Sequence, residues 1–185
     1  MRLRRELQRL RKKNHFELFG LTPAYALDLA HLDGAYRDIQ SNIHPDRYAS
    51  AGDAERRASM QMTTQVNEAY RTLRSPVQRA RYLLELNGVD AGFETSTAMP
   101  PEFLMEQMEL REKLEEAKQG SDLDLLSSRL AAEKHGIENR IREKMDGELD
   151  FLAARDLVRK LMFLEKLGDD IAAAHEAIET QAPGA

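Results

Sequence analysis

At 185 residues, with 42% hydrophobic and 32% charged composition, the chain can bury one or two modest cores. The absence of cysteine excludes disulfides, a Cys-ligated zinc module, thiol catalysis and thiolate ligation of an inorganic cluster, so any redox cofactor belongs to a partner. Aromatic content of 6%, abundant Leu, Ala, Glu, Arg and Met, and long stretches without Pro or Gly predict an all-α protein.

Residues 2–13 hold seven Lys or Arg against one Glu, a net +6 that puts −11 on the rest of a chain whose total is −5. Such a basic N-terminal extension, residues 1–13, can bind nucleic acid, acidic membrane or an acidic patch of its own chain. We read it as a solvated helical extension in which Leu3, Leu7 and Leu10 dock on the body, because no aromatics alternate with its basic residues as they do in single-strand binders. The start lacks the apolar segment of a secretory signal, Glu6 and scarce Ser weigh against a transit peptide, and no apolar run approaches the roughly 20 residues that span a bilayer. A cytoplasmic location, without a membrane partner, is expected.

Further along, Leu32, Tyr36, Ile39 and Ile43 recur at i, i+4, i+7 and i+11, one stripe of a helix that Asp28 can cap. Ala58, Met62, Val66, Ala69 and Leu73 form a second stripe, beginning after Gly52-Asp53, a breaker followed by a capping residue. Between them stands His44-Pro45-Asp46. Pro45 cannot donate a backbone hydrogen bond and disfavours helical geometry at His44, so the first helix stops there and the loop is stiffened. His44, as donor and acceptor, and Asp46, as a charged acceptor, are expected to point outward toward a partner.

The tripeptide alone carries little weight, since it arises by chance in roughly one chain in a hundred of this length. Ordinary helix-helix loops also use Pro and Asp for turn reasons. Its setting is more specific. Phe16-Glu17-Leu18-Phe19-Gly20-Leu21 precedes the helix pair, and Asn67-Glu68-Ala69-Tyr70-Arg71-Thr72-Leu73-Arg74-Ser75-Pro76 with Arg79-Ala80-Arg81-Tyr82 follows it. In this order, residues 14–88 resemble the J-domain of co-chaperones.

Ser75 as cap and Pro76 at the first helical position open a helix that Gly88 can close. Residues 89–98 lack helical periodicity and read as a short linker. Pro100-Pro101 then start three helices, at about 101–119, 122–145 and 148–180, separated by Gly120-Ser121 and Asp146-Gly147. Leu123, Leu126, Leu130, Ile137, Ile141 and Met145 stripe the second; Leu157, Leu161, Leu164 and Ile171 stripe the third. Residues 99–181 are therefore expected to form a three-helix bundle.

On the first of these helices Phe103, Leu110, Leu114 and Ala117 cluster within about 60° of arc, the side a bundle buries. Met105, Glu109, Glu112 and Glu116 fall opposite, with Leu104 and Met108 beside them, and Phe163 on the last helix lies off its own core stripe. A contiguous apolar patch edged by carboxylates fits a partner surface. On the residues alone, a wider core that absorbs the Met and Leu side chains, with a solvated Glu row stabilised by Lys113 and Arg111, explains the pattern equally well.

Phe103-Leu104-Met105-Glu106-Gln107-Met108-Glu109-Leu110-Arg111-Glu112 and Val158-Arg159-Lys160-Leu161-Met162-Phe163-Leu164-Glu165-Lys166-Leu167 resemble a specific branch, the HscB-type co-chaperones of iron-sulfur cluster assembly, and the resemblance runs over residues 14–180. It implies a J-domain that stimulates ATP hydrolysis by a DnaK-like chaperone of the HscA type, and a bundle that binds a scaffold protein of the IscU type. His44, Pro45 and Asp46, with Arg37 and Arg47 around them, would engage the chaperone. Leu104, Met105, Met108, Glu109, Glu112, Glu116 and Phe163 would hold the scaffold. The chain departs from the J-domain pattern in a nearly neutral outer face of Gly34, Arg37, Asp38 and Ser41, in Ile43 where an aromatic is usual, and in Arg47 where Lys is frequent. Weak affinity for the chaperone is expected from the first of these. No Gly/Phe-rich region is present, which argues against a general holder of unfolded chains.

An enzyme is not expected. His15, His31, His44, His135 and His175 show no two-His metal spacing, no Gly-rich phosphate loop occurs, and neither a cofactor nor homo-oligomerisation is indicated. The contrasting function, nucleic-acid binding through residues 2–13, predicts that deleting them abolishes RNA or DNA retention in a filter assay while ATPase stimulation persists.

Overall fold

A computed structural model describes residues 13–48, 51–90, 99–117 and 119–181. The proposed docking of Leu3, Leu7 and Leu10 and most of the expected linker, residues 91–98, lie outside these residues. The chain divides into two units, residues 1–83 and 84–185, with the border inside the helix Pro76–Leu86.

In the first unit, a single helical turn α1 (His15–Leu18) is closed by a reciprocal cap: Glu17 N–H donates to Asn14 Oδ1 at 2.9 Å and Asn14 N–H to Glu17 Oε2 at 3.0 Å. It buries Phe16 and Leu18. The expected helices follow as α2 (Leu29–Ile43), α3 (Asp53–Arg74) and α4 (Pro76–Leu86). Asp28 caps α2 by accepting from Ala30 N–H and His31 N–H, and the stripe buries Leu32 and Ile43 while leaving Tyr36 and Ile39 half-exposed. At α3 the expectation needs two corrections. Gly52 occupies the cap position and Asp53 is the first helical residue, where its carboxylate pairs with Arg56 one turn on. Ser59, rather than Ala58, is buried beside Met62, Val66, Ala69 and Leu73. Gly88, at φ +70°, ends α4, with Val89 N–H returning to Leu84 O at 2.9 Å.

Apolar packing alone does not join α2 to α3. Tyr36 and Tyr70 stack at 4.0 Å, and the Tyr36 hydroxyl donates to Asn67 Oδ1 at 3.0 Å, an oxygen that Gln40 also reaches. Tyr70 donates to Asp33 Oδ1 at 2.9 Å, and Arg74 both pairs with Asp33 and donates to the Tyr70 oxygen at 2.7 Å. Asn67 and Tyr70 of the quoted motif are thus the α3 half of a polar seam. Arg79 and Tyr82, from the other motif, attach α4: Arg79 donates to Tyr25 O at 2.7 Å, and Tyr82 stacks on His15 at 4.1 Å while accepting its backbone N–H.

The second unit comprises α5 (Pro101–Glu116), α6 (Gly120–Arg142) and α7 (Phe151–Gln181), a three-helix bundle as expected. Gly120-Ser121 is not the expected break. Gln119 and Asp122 form a reciprocal cap, so Gly120 and Ser121 lie in the first turn of α6; satisfying orphan amides offsets the helix cost of about 1 kcal/mol for Gly. The second break also moves, because a π-helical turn, Glu143–Gly147, extends α6 and Asp150 caps α7 through Ala153 N–H at 2.9 Å. Between them Leu149 adopts φ +56°. Both predicted stripes are buried, joined by Ala154, Val158 and Leu167. The antiparallel register is marked by His175 Nε2 at 3.3 Å from Asp124 and by Gly168, where a methyl group would lie 3.3 Å from Leu130 Cδ2. No helix among the described residues is long and apolar enough to cross a membrane.

The seam carries a pH dependence. Arg74, then the Tyr70 hydroxyl, hold the Asp33 carboxyl below the usual aspartate range. A depressed folded value stabilises above the unfolded one and is lost as pH falls from the ordinary aspartate range through the lower value. Asp33→Asn should therefore lower stability near neutrality and flatten its decline on the acid side, measured as urea midpoints across that range.

Candidate functional site

Two surfaces collect the candidate residues, one in each unit. In the first, His44 follows α2 with an extended backbone (φ −54°, ψ 131°), the geometry that Pro45 imposes on its predecessor. Pro45 opens a 3-10 helix, Pro45–Tyr48. Both His44 and Asp46 are exposed, as expected. Asp46 N–H donates to His44 Nδ1 at 3.3 Å, and Asp46 Oδ2 lies 3.5 Å from the same nitrogen. The turn therefore offers an exposed imidazole, which can donate and accept, beside an exposed carboxylate.

Arg37 is exposed on α2, on the face that also presents Asp38 and Ser41. Arg47 is also exposed, and its Nη1 donates to Ser41 O at 2.8 Å at the C-terminal end of α2, where a cation is favoured. Tyr48 and Ser59 bind the next two carbonyls. Neither was legible as a partner of the turn, because both contacts close across a loop.

In the second unit the apolar stripe of α5 faces solvent. Met105 and Met108 are 65% and 62% exposed and Leu104 is 39% exposed, while Phe103 and Leu110 are buried on the opposite side. The core therefore does not absorb them. Glu109, Glu112 and Glu116 are all exposed. Phe163, 39% exposed, reaches from α7 to set its ring edge on Phe103 at 6.0 Å, which seats it at the α5–α7 seam. Lys160 Nζ lies 5.1 Å from the centre of the same Phe103 ring.

Gln107 was missed. It occupies the i+4 position from Phe103 and is equally buried, with its Nε2 unpaired among the described residues. Periodicity marks that position as internal, but the amide disguised it. On α6, burial and then the negative charge of Glu106 push the Glu133 carboxyl up, against the pull of Arg129 and Lys160. Leu114 is only half-buried, and Ala117 lies just beyond the end of α5. Additional apolar residues, Leu149 and Leu152, are exposed around the start of α7.

Comparison with known proteins bears on the family to which the chain belongs. Residues 99–172 match a family model described as the HSCB C-terminal oligomerisation domain. A co-chaperone protein HscB homolog from Burkholderia multivorans is 49% identical over 172 residues, covering 91% of this chain and 98% of that protein. Among solved structures, chaperone HscB from Vibrio cholerae superposes with a TM-score of 0.80 at 35% identity, covering 90% of this chain and 99% of that one. Human co-chaperone protein HscB gives 0.83 at 28% identity, covering 87% and 81%. Sequence likeness over nearly the whole length, together with a shared all-helical fold, places this chain in the HscB family of co-chaperones.

Proposed function

We propose that the chain is an adaptor in iron-sulfur cluster assembly, acting in the cytoplasm: its second unit captures a scaffold protein of the IscU type, and its first unit stimulates ATP hydrolysis on a DnaK-like chaperone of the HscA type. The observation that carries this reading is the solvent-facing apolar patch of Leu104, Met105 and Met108 on α5, edged by Glu109, Glu112 and Glu116, in a chain that also exposes His44 and Asp46. Holding both partners on one chain raises the effective concentration of scaffold at the chaperone without any new contact between them. Catalysis of ATP hydrolysis remains the chaperone's. This chain would contribute the exposed imidazole and carboxylate that the chaperone recognises, held by a proline-stiffened turn.

The energetic division follows from magnitudes. A fully buried Met or Leu contributes roughly 1.5 to 3 kcal/mol, whereas ion pairs at an exposed rim give about 0 to 1 kcal/mol. Affinity for the scaffold should reside in Leu104, Met105, Met108 and Phe163, and the glutamates should select a basic rim and speed encounter.

Asp46→Asn is expected to abolish ATPase stimulation while scaffold binding persists. Met105→Ala with Phe163→Ala should do the reverse, weakening scaffold binding by at least about tenfold. Titration calorimetry and a single-turnover ATPase assay check the pair; undiminished stimulation by the first variant, or parental scaffold affinity in the second, would refute the assignment. Replacing Glu112 by Gln should slow association and reduce its salt dependence while changing dissociation little, as followed by surface resonance at two ionic strengths.

A further inference from the structure

Carbonyls in the last turn of an α-helix have no partner within it. In α2 three consecutive ones are taken by side chains from beyond the helix. Arg47 Nη1 donates to Ser41 O at 2.8 Å, the Tyr48 hydroxyl to Asn42 O at 3.1 Å, and the Ser59 hydroxyl to Ile43 O at 2.5 Å. The donors come from two elements that follow the turn. Arg47 and Tyr48 follow Asp46 directly in the 3-10 helix, whereas Ser59 is buried on α3.

Ile43 O belongs to the peptide plane that also contains His44 N, so anchoring it fixes the plane through which the chain enters His44. Arg47 and Tyr48 tie the exit of the turn back to the helix it has just left. Within this loop Arg47 N–H donates to His44 O at 3.0 Å and Asp46 N–H to His44 Nδ1 at 3.3 Å. His44 and Asp46 are therefore oriented by the bond between them and by the bonds that Arg47, Tyr48 and Ser59 make around them. We infer that Ser59, together with Tyr48, is a positioning residue that sets the direction in which His44-Pro45-Asp46 presents itself.

The consequence for the chaperone rests on the function proposed above. A turn that samples other orientations binds with an affinity reduced by the fraction in the competent one, without altering what the bound turn does. A hydrogen bond of ordinary net strength corresponds to a population change of about fivefold.

The full chain carrying Ser59→Ala, Ser59→Thr, Tyr48→Phe or Asp46→Asn is titrated into a purified DnaK-type chaperone whose ATPase the parent stimulates. Ser59→Ala should raise the concentration for half-maximal stimulation about fivefold at an unchanged maximal rate. Tyr48→Phe should act in the same direction, and Ser59→Thr, which keeps the hydroxyl, should recover the parental titration. In parallel, amide hydrogen exchange should accelerate at Asp46 and Arg47 in Ser59→Ala while amides around Val66 keep their protection. Parental exchange at Asp46 and Arg47 overturns the inference, as does uniform loss of protection along α3, which is the mark of a residue that only stabilises the fold. If Asp46→Asn stimulates as well as the parent, the functional reading fails, and the exchange pattern still decides whether Ser59 orients the turn.

Discussion

The way the first unit presents His44 and Asp46 depends on how α2 ends. A helix stopped by proline must dispose of carbonyls that no longer have amides above them, and doing so with water alone would leave the following turn free to swing. Here the donors are Arg47, Tyr48 and Ser59, and each satisfies one carbonyl while shortening the range of positions open to His44 and Asp46. Structure and presentation are thereby one problem. The hydroxyl of Ser59 can be buried because a backbone oxygen is there to receive it.

That arrangement needs α3 to stand at a definite height along α2. Apolar stripes tolerate sliding, since one leucine can replace another in a groove. A polar seam does not. Asp33, Arg74 and Tyr70 meet near one end of the hairpin, and Tyr36, Gln40 and Asn67 meet nearer the turn, so a shift by one helical turn would break several bonds together. Arg74 first and the Tyr70 hydroxyl second lower the Asp33 carboxyl, and burial first and Asp33 second raise the Tyr70 hydroxyl, so the Asp33–Tyr70 bond contributes to both shifts.

In the second unit the division of labour is different. The long pair α6 and α7 supplies most of the core, with Leu123, Ile141, Met145, Leu161, Leu164 and Leu167 fully enclosed. Helix α5 lies over this pair on a narrow strip of Phe103, Gln107 and Leu110. A helix so narrowly seated has a wide outer face, and in this chain that face holds two methionines, whose adaptable side chains suit an irregular partner, among carboxylates that discourage unspecific apolar contact. The edge-on contact of Phe163 with Phe103 extends that surface onto α7.

Sequence by itself determined the elements whose cause is local. The all-α class, the bundle, Asp28 as cap, the stop at Pro45, and the start at Pro76 follow from periodicity, capping chemistry and ring geometry acting within a few residues. Through the stop at Pro45 it also set His44 and Asp46 outward, whereas for Met105 and Met108 it left an outer face and a wider core equally open, and only their exposure on α5 decided between the two. At two nominal breakers composition pointed to the wrong residues: the Asp122 carboxylate that receives Gln119 N–H starts α6 at Gly120-Ser121, and a π-helical turn carries that helix through Asp146-Gly147. Tertiary structure alone decided what Arg47, Tyr48 and Ser59 do and how Asn67 and Tyr70 are used. These depend on backbone atoms and side chains brought together from separate elements, and no local pattern encodes which carbonyl a distant hydroxyl will meet.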